Sequence, residues 1–435
     1  MKTRDTVQYI KNAYDQNPER EWERMDRHRT EFAVTLRALE EHLPPPPARV
    51  LDCGGGPGRY AIELTRRGYD VTLFDLSTGN LELARQKADE AGQTLSGYEQ
   101  GSALDLSRFA DNSFDAVLLM GPLYHLLRET ERQQAVQEAQ RVLKPGGPLF
   151  AAFITRYATL RYAAAREHLW PLQEAATVAR VLQTGVLPPR DEKEAGFVAY
   201  FAHPTEVAPL LQHAKLKVRT VLGVEGLVSM IEENVNTLDG IAWKTWVNLN
   251  CRVAPDPTLH SGVEHLLAIA VKPRWRATLR ELAQQLTQAQ IPFKIVGGTS
   301  AALHGVYIPV NDIDLETDSE GAYRIQDLLV EQAIQQVALS SSETYRSHFG
   351  RFDLHGVVIE VMGDLHRRQG NEWVPSMAQT TVTLDLDGVP VPVSSLEEET
   401  LAYMRRQRLE RAAQCLPHCD PQRLLALLRQ GTPVL

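Results

Sequence analysis

Residues 48–77, ARVLDCGGGPGRYAIELTRRGYDVTLFDLS, decide the fold that we expect for the first part of this chain. The stretch begins with an apolar run and passes through a glycine-rich loop into a helical pattern that ends at Gly68. A second apolar run follows. Strand, glycine loop, helix and strand in this order predict one crossover unit of a parallel sheet.

The same alternation continues beyond this unit. The stretches LELARQKADEAG and QQAVQEAQRVLKPGG have helical spacing, whereas FDAVLLM (residues 114–120) and PLFAAFI are apolar enough for buried strands. Residues 218–228 and 265–272 have the character of the last two strands of the same sheet. Strands that alternate with helices predict an α/β fold with a doubly wound, Rossmann-like sheet.

Changes in composition divide the chain. Residues 1–47 combine helical spacing with a closing run of four prolines, and we expect an N-terminal helical lid there. Residues 48–273 form the predicted doubly wound domain, with a mostly helical insert at about 155–250 as a substrate cover. An amphipathic helix follows Pro273, and the pattern starts again, which predicts a second domain over residues 274–435. We expect its final helix in the stretch EEETLAYMRRQRLERAA, residues 397–413.

Length and composition limit the class of protein. A chain of 435 residues is long enough for two domains, and 43% hydrophobic with 23% charged residues is typical of soluble globular proteins. The net charge of -9 argues against broad nucleic-acid binding, and no apolar run is long enough to span a bilayer. The N-terminus lacks the apolar core of a signal peptide, so we expect a cytoplasmic protein without a membrane partner.

The glycine loop and two acids form a candidate cofactor site. Gly54, Gly56 and Gly58 let the backbone approach a ligand closely, and the helix that follows adds its dipole. Asp75 ends the next strand after Asp52, where a carboxylate can accept both hydroxyls of a ribose. A glycine loop with such an acid fits NAD as well as S-adenosylmethionine.

Three details favour S-adenosylmethionine. Asp52 stands at the front of the glycine run, where the ammonium of an amino-acid moiety needs a partner. Residues 101–119 read GSALDLSRFADNSFDAVLL, and the helix before the fifth strand ends in RVLKPGG. Together these features resemble the class I S-adenosylmethionine-dependent methyltransferases over about residues 48–155.

This resemblance implies a role for each matching residue. The methionine moiety is held by Asp52, Gly54, Gly56 and Gly58, the ribose by Asp75, and the adenine lies beside Ser102 and Ala103. Family members usually have an acid where Ser102 stands, so the contact with the adenine amino group differs in this chain. Asp105 is either a substitute for that acid or a turn residue.

The N-terminal segment resembles the lid of small-molecule methyltransferases. In residues 12–29, NAYDQNPEREWERMDRHR, we expect Tyr14 and Trp22 to face the sulfonium, which an aromatic ring stabilises by roughly 0.5–2 kcal/mol. Ordinary aromatic packing is the alternative. The expected acceptor is a small molecule with a hydroxyl or amine, and His125 after the fourth strand is the candidate base. A helix cap or a cofactor contact is the alternative role for His125.

A second group of residues lies in the stretch KIVGGTSAALHGVYIPVNDIDLET, residues 294–317. Alternate residues of a strand share a face, so Asp312 and Asp314 project together. Two carboxylates about 4 Å apart repel by about 4 kcal/mol at an effective dielectric constant near 20, and a hard dication such as Mg²⁺ relieves the repulsion. The backbone and hydroxyls ahead of the next helix form a seat for a triphosphate. This seat consists of Gly297, Gly298, Thr299 and Ser300.

A third carboxylate is expected on a neighbouring strand. Glu360 lies in the apolar run GVVIEVMGDL (residues 356–365), where an acid is costly unless it is paired or bound to a metal. The alternative for Glu360 is a buried ion pair with Arg351, and Asp353 and Asp364 are the other candidates for the third carboxylate.

Gly-Gly-Thr, Asp-x-Asp and a third acid resemble the nucleotidyltransferase superfamily of antibiotic and toxin systems over about residues 277–410. The resemblance implies a smaller α+β domain in which Asp312, Asp314 and Glu360 bind Mg²⁺ with an NTP, and in which Glu360 activates the acceptor hydroxyl. Family members often have Arg-x-Thr before the aspartates. This chain has Tyr307, Pro309 and Val310 in that region, and Lys294 and Arg351 are the candidates to replace the basic contact.

These observations predict a bifunctional group transferase. It methylates a small molecule from S-adenosylmethionine and transfers a nucleotidyl group from an NTP to a hydroxyl, with an antibiotic or other natural product as the shared acceptor. Two alternatives remain for the second domain: a toxin-type enzyme that modifies tRNA or protein, and a recognition domain without catalysis.

Overall fold

The computed structural model describes residues 3–188, 197–375 and 380–429. The chain divides into two compact units, Met1–Lys272 and Pro273–Leu435. Each unit has its own sheet and its own buried apolar core. None of the described helices is both long and apolar enough to cross a membrane.

Strands and helices alternate in the first unit. Its strands are β1 (Arg49–Cys53), β2 (Asp70–Asp75), β3 (Gly97–Gln100), β4 (Ala116–Leu119), β5 (Pro148–Ile154), β6 (Val186–Leu187), β7 (Ala199–Tyr200), β8 (Lys217–Gly223) and β9 (His265–Val271). Its helices are α1 (Thr3–Gln16), α2 (Pro18–Arg27), α3 (Arg29–His42), α4 (Arg59–Arg66), α5 (Thr78–Glu90), α6 (Pro122–His125), α7 (Glu129–Val142), α8 (Ala158–Arg166), α9 (Trp170–Gln173), α10 (Ala175–Thr184), α11 (Pro204–His213), α12 (Glu232–Asn236) and α13 (Gly240–Val253).

The sheet of the first unit has the strand order β3-β2-β1-β4-β5-β9-β8. The first five strands along the chain pair in parallel, whereas β9 runs antiparallel to both β5 and β8. Apolar clusters cover both faces of this sheet, as expected when helices pack on both sides. The predicted doubly wound, Rossmann-like sheet is confirmed.

The strand order reverses between β1 and β4, because the chain runs outward from β1 to β3 and then returns to the other side of β1. Open parallel sheets bind ligands beyond the carboxyl ends of the strands at such a reversal. The strand predicted over residues 114–120 is shorter in the structure, since Phe114 forms only an isolated bridge with Leu143 ahead of β4.

The second unit is a mixed sheet with helices. Its strands are β10 (Lys294–Val296), β11 (Asp312–Thr317), β12 (Ala333–Ser341), β13 (Tyr345–Leu354), β14 (Val357–Gln369), β15 (Glu372–Pro375), β16 (Thr381–Leu386) and β17 (Val389–Ser394). Its helices are α14 (Trp275–Gln288), α15 (Gly297–Leu303), α16 (Ser319–Leu328), α17 (Leu396–Arg405), α18 (Leu409–Cys415) and α19 (Pro421–Arg429).

The strand order of this second sheet is β12-β13-β14-β11-β10-β17-β16, and β15 pairs with β14. The aspartate-bearing strand β11 lies inside the sheet, parallel to β14 and antiparallel to β10. Leu279 and Leu282 of α14 are fully buried in one cluster with apolar side chains of β10, β11 and β14. This packing holds β11 and β14 in a defined register.

The stretch EEETLAYMRRQRLERAA was expected to be one final helix, and this expectation is wrong. The structure ends α17 at Arg405 and begins α18 at Leu409. Gln407 has a left-handed backbone (φ 55°), and the amides of Gln407 and Arg408 donate to the carbonyls of Met404 and Tyr403. These two bonds form a Schellman C-cap. Glycine usually occupies the left-handed position of this motif, so a glutamine there gives no sequence signal for the end of the helix.

Candidate functional sites

A cavity lies at the carboxyl ends of β1, β2 and β4 in the first unit. Residues after each of these strands line it, and the N-terminal helices α1, α2 and α3 contribute Tyr14, Arg24 and Glu31. Gly54 (φ 80°) and Gly56 (φ 56°) have left-handed backbones that disfavour other residues. A Cβ atom at Gly54 would overlap the ring of Pro122. The loop after β1 therefore presents bare backbone to the cavity.

Asp52 ends β1 beneath this loop and is fully buried. Neither of its carboxylate oxygens has a hydrogen-bond partner among the described residues, apart from a loose interaction with the amide of Ala61. Burial, followed by the charge of Asp75, raises the pKa of Asp52 to about 7. A buried acceptor without a donor is costly, so this position fits a cationic ligand group.

Asp75 ends β2 and faces the same cavity. One oxygen accepts from the amide of Gly56 at 2.9 Å, and the other from the amide of Ser77 at 2.8 Å and from Asn80 Nδ2 at 3.3 Å. Burial raises the pKa of Asp75, while these donors lower it. The bonds orient the carboxylate toward the cavity and leave acceptor capacity for a further ligand.

Only some of the remaining residues predicted to bind the methyl donor line the cavity. Ser102 and Ala103 line the cavity, whereas Gly58 caps α4 and packs against Ala84 outside the cavity wall. Asp105 is exposed, accepts from the amide of Ser107 at 3.0 Å and does not line the cavity, as a turn residue would. Trp22 is likewise absent from the described cavity wall.

Trp22 instead packs on charged side chains and the second apolar cluster. The guanidinium of Arg59 lies 4.6 Å from its ring centre, and the ammonium of Lys87 lies 5.4 Å from it. In the described part of the expected cover at residues 155–250, only Val224 lines the cavity. The rest of its described residues therefore do not form the cavity wall.

Tyr14 and His125 meet at the cavity. Tyr14 Oη lies 2.7 Å from His125 Nε2, and His125 Nδ1 lies 2.9 Å from the carbonyl oxygen of Val198. A carbonyl only accepts, so Nδ1 carries the proton and Nε2 of the neutral ring accepts from the tyrosine. Burial lowers the pKa of His125, which keeps the ring neutral near pH 7. The pair therefore joins α1 to α6.

A buried charge cluster at this end of the unit escaped the sequence reasoning. Arg24 donates to both oxygens of Glu31 at 2.8 and 2.9 Å, and His265 Nδ1 lies 2.6 Å from Glu225 Oε1. Burial opposes the charged ring of His265, but Glu31 and Glu225 raise its pKa to about 9. Arg24 and protonated His265 thus neutralise the two glutamates. No motif marks these residues, because they meet only through tertiary packing.

The second unit brings its predicted carboxylates together. Asp314 and Glu360 are direct neighbours on the parallel strands β11 and β14. One oxygen each from Asp312, Asp314 and Glu360 lies within 4.8 Å of the others. Burial, then the charges of Asp312, Glu360 and Glu399, raises the pKa of Asp314 to about 7. The arrangement is a hard oxygen donor set that fits a divalent cation.

Glu360 also forms the alternative contact considered above. Its Oε1 lies 3.2 Å from Arg351 Nε. Burial and then Asp312 raise the pKa of Glu360, whereas Arg351 lowers it. Lys294 is 3.2 Å from Glu316 Oε2, and it does not line the pocket that contains the carboxylates.

The stretch of residues 297–300 contributes mainly its backbone at Gly297 to the second site. Gly297 (φ 68°) lines the pocket, and a Cβ atom there would overlap the Asp314 carboxylate. Thr299 and Ser300 are fully buried, and their hydroxyls donate to the carbonyls of Asp312 at 2.8 Å and Ser394 at 3.1 Å. These hydroxyls therefore hold the adjoining chain segments, and they and Gly298 are absent from the described pocket wall.

Glu399 of α17 is a further residue that the sequence reasoning missed. Its Oε1 accepts from the amide of Gly297 at 2.9 Å and from the hydroxyl of Ser394. The side chain is buried, and burial raises its pKa. In the sequence Glu399 stands in an acidic first helical turn, where glutamates are common for the helix dipole alone. Because acidic residues are common in a first helical turn, the sequence gave no sign that Glu399 contacts Gly297.

Both units match known families. A family model described as a methyltransferase domain matches residues 51–151, and one described as an aminoglycoside-2''-adenylyltransferase matches residues 278–413. The ubiquinone biosynthesis O-methyltransferase of Xanthomonas axonopodis pv. citri (strain 306) is 31% identical over 191 residues, which cover 44% of this chain and 72% of that protein.

Two further proteins illustrate the similarity. The ubiquinone biosynthesis O-methyltransferase of Xanthomonas campestris pv. campestris (strain B100) is 30% identical over 223 residues, which cover 51% of this chain and 82% of that protein. A solved SAM-dependent methyltransferase from Methanosarcina mazei is 22% identical, covers 54% of this chain and 97% of that chain, and has a TM-score of 0.37.

The two family models and the O-methyltransferase relatives confirm the resemblance of both parts of the chain. The chain belongs to the S-adenosylmethionine-dependent methyltransferases, and a domain of the nucleotidyltransferase type follows its methyltransferase domain.

Proposed function

We propose that this protein methylates a hydroxyl or amine of a small molecule and, in its second domain, transfers a nucleotidyl group from an NTP to a hydroxyl. The proposed domains are a helical lid (residues 1–47), a methyltransferase domain (48–273) and a nucleotidyltransferase domain (274–435). Named relatives that act as O-methyltransferases, and a family named for aminoglycoside adenylyl transfer, support an oxygen acceptor for both reactions. An antibiotic or other natural product is the proposed shared acceptor.

The methyl-donor site fits S-adenosylmethionine. The unpartnered oxygens of buried Asp52 suit the donor's ammonium, and the bare backbone at Gly54 and Gly56 leaves room for its methionine moiety. Asp75 is the proposed partner of the ribose, and Ser102 and Ala103, which line the same cavity, are the proposed neighbours of the adenine. When bound, S-adenosylmethionine supplies an electrophilic methyl group on a sulfonium. The chain's own part is to align the acceptor and to take up its proton.

His125 is the proposed base. Its Nε2 accepts the hydroxyl of Tyr14 in the structure, so a substrate hydroxyl in the place of the tyrosine hydroxyl would meet the same lone pair. The acceptor oxygen would form the bond to the methyl carbon while the bond from that carbon to sulfur breaks, its electron pair staying on sulfur as a thioether. The proton of the acceptor would move to Nε2 of His125. The carbonyl of Val198 holds the ring in the required tautomer.

His125→Ala is expected to lower kcat for methylation of a hydroxyl by about 10²–10⁴-fold, because a positioned base is lost. The affinity for S-adenosylmethionine should change little. Since burial lowers the pKa of His125, the wild-type rate should be flat above pH 6.5 and fall only below it. Tyr14→Phe keeps the base and is the matched control. Equal rates for His125→Ala and wild type would contradict the assignment.

The second site fits Mg²⁺ with an NTP, and the juxtaposition of Asp312, Asp314 and Glu360 is the single observation that carries this half of the proposal. We propose that Asp312 and Asp314, together with Glu360, hold Mg²⁺, which supplies charge neutralisation at phosphate oxygens. The acceptor oxygen forms a bond to the α-phosphorus while the bond to pyrophosphate breaks. Glu360, whose pKa is raised, takes up the proton of the acceptor hydroxyl.

The test uses the full chain with labelled S-adenosylmethionine and labelled ATP. Amino-sugar, lincosamide and phenolic small molecules serve as acceptors. We expect both labels to enter small molecules, and pyrophosphate to be released in step with the nucleotidyl label. Transfer of the nucleotidyl label to RNA or protein would replace the small-molecule acceptor with a macromolecular one. No release of pyrophosphate with any acceptor would refute the second activity.

A further inference from the structure

The pocket of the second unit also has a basic wall. Five arginines line it together with the carboxylates: Arg367, Arg405, Arg406, Arg408 and Arg411. Arg367 comes from β14, Arg405 ends α17, and the others lie in the turn between α17 and α18 or in α18 itself. A C-terminal helix break and a neighbouring strand thus place positive charge in one pocket.

Much of this positive charge is not neutralised by the protein. Within the described residues, Arg367, Arg406 and Arg408 form no ion pair, whereas Arg351 and Lys294 each have a glutamate partner. Arg406 Nε donates to Tyr345 Oη at 3.0 Å, and Arg367 Nη2 donates to Gln369 Oε1 at 3.2 Å. Both of these acceptors are uncharged. These three guanidinium groups therefore line the pocket without a carboxylate of the described residues in direct contact.

Among these arginines, Arg367 and Arg405 interact through their charges. The Nε atom of Arg367 is buried without a hydrogen-bond acceptor among the described residues. Burial, followed by the charge of Arg367, lowers the pKa of Arg405. Two neighbouring guanidinium groups repel each other unless an anion lies between them. Guanidinium groups bind phosphate oxygens well, because their planar N–H donors match them in pairs.

We propose that Arg367 and Arg405 form an anion subsite that binds a phosphate group in the pocket of the second unit. Arg367 follows Glu360 by seven residues on β14, and both residues line the same pocket as Arg405. The phosphate belongs either to the terminal part of the NTP or to the acceptor molecule. The role of the subsite rests on the proposed nucleotidyl transfer, but its anion binding requires no catalysis.

The test is a calorimetric titration of the full chain with inorganic tripolyphosphate in the presence of EDTA. Arg367→Gln and Arg405→Gln should each weaken binding at least tenfold. Arg368→Gln, at an exposed neighbour on the same strand, is the matched control and should bind as wild type does. An Asp312→Asn/Asp314→Asn variant should also retain binding. That last result separates this inference from the proposed catalysis, which the double variant removes.

Thermal melts of every variant establish that the fold is intact, and Arg367→Lys, which keeps the charge, should retain part of the affinity. Equal affinities for Arg367→Gln and Arg368→Gln, or no binding to wild type, would overturn the subsite. A final titration with Mg²⁺ and α,β-methylene-ATP identifies the source of the phosphate. Competition with tripolyphosphate assigns the subsite to the nucleotide, and simultaneous binding assigns it to the acceptor.

Discussion

Asp314→Asn is expected to lower nucleotidyl transfer about a thousandfold, because one oxygen ligand and one negative charge leave the carboxylate group that the reaction requires. Methyl transfer should stay within twofold of wild type, since the methyl-donor cavity belongs to a different unit of the chain. Initial rates with both labels, measured on one preparation, give the two activities together. Asp327→Asn, at an exposed position of α16, is the matched control.

The same substitution should stabilise the second unit when Mg²⁺ is absent. Burial and the neighbouring carboxylates raise the pKa of Asp314 to about 7, above its ordinary value of 3.8. The folded state therefore holds this proton more tightly than the unfolded state, and the unfolding free energy falls as the pH rises from about 4 to about 7. Asparagine does not ionise, so the variant should not show this decrease in the unfolding free energy. An Asp314→Asn variant that melts below wild type at pH 8 in EDTA would contradict the placement of the three carboxylates.

Asp52→Asn is expected to weaken the binding of S-adenosylmethionine about a hundredfold, because a buried charge-assisted bond to the donor's ammonium is lost. Calorimetric titration with S-adenosylmethionine at pH 8, where the carboxylate is charged, measures the effect. Asp89→Asn lies at an exposed position of α5 and should bind as wild type does. Unchanged affinity in Asp52→Asn would remove Asp52 from the proposed cofactor site.

Although Asp52→Asn should bind S-adenosylmethionine more weakly, it should be more stable than wild type at high pH when no ligand is bound. The pKa of Asp52 rises from an ordinary 3.8 to about 7, and each pKa unit corresponds to about 1.4 kcal/mol. Without ligand, the unfolding free energy of wild type should fall as the pH rises from about 4 to about 7, and Asp52→Asn should lack this part of the slope. Calorimetric melting temperatures at pH 5 and pH 8 test the difference. A parallel slope in both proteins would contradict it.

The local pattern of the sequence predicted the elements that hold each site. The glycine loop after β1, the acid at the end of β2 and the alternation of Asp312 with Asp314 on β11 are all properties of neighbouring residues in the chain. Backbone periodicity decides which side chains share a face, so these features are visible without coordinates. The break between α17 and α18 was missed, because glutamine rather than glycine adopts its left-handed position.

Other expectations depended on distant contacts. Thr299 and Ser300 have the residue types of a phosphate seat, yet both hydroxyls are used by carbonyls elsewhere in the fold. Trp22 lies in the predicted lid but packs on Arg59. In each case the side chain had several possible partners, and only packing selected one of them.

Local sequence patterns were enough to predict a doubly wound sheet with a glycine loop and a second domain with paired aspartates. Hydrophobic periodicity and glycine spacing involve only a few neighbouring residues, so both can be recognised in the sequence without the structure. The contact of His125 with Tyr14, the support of the Gly297 turn by Glu399 and the position of Arg367 and Arg405 in one pocket became visible only in the folded structure. Charge, pKa and hydrogen-bond partners depend on burial and on residues far apart in the chain, and folding is what brings those residues together.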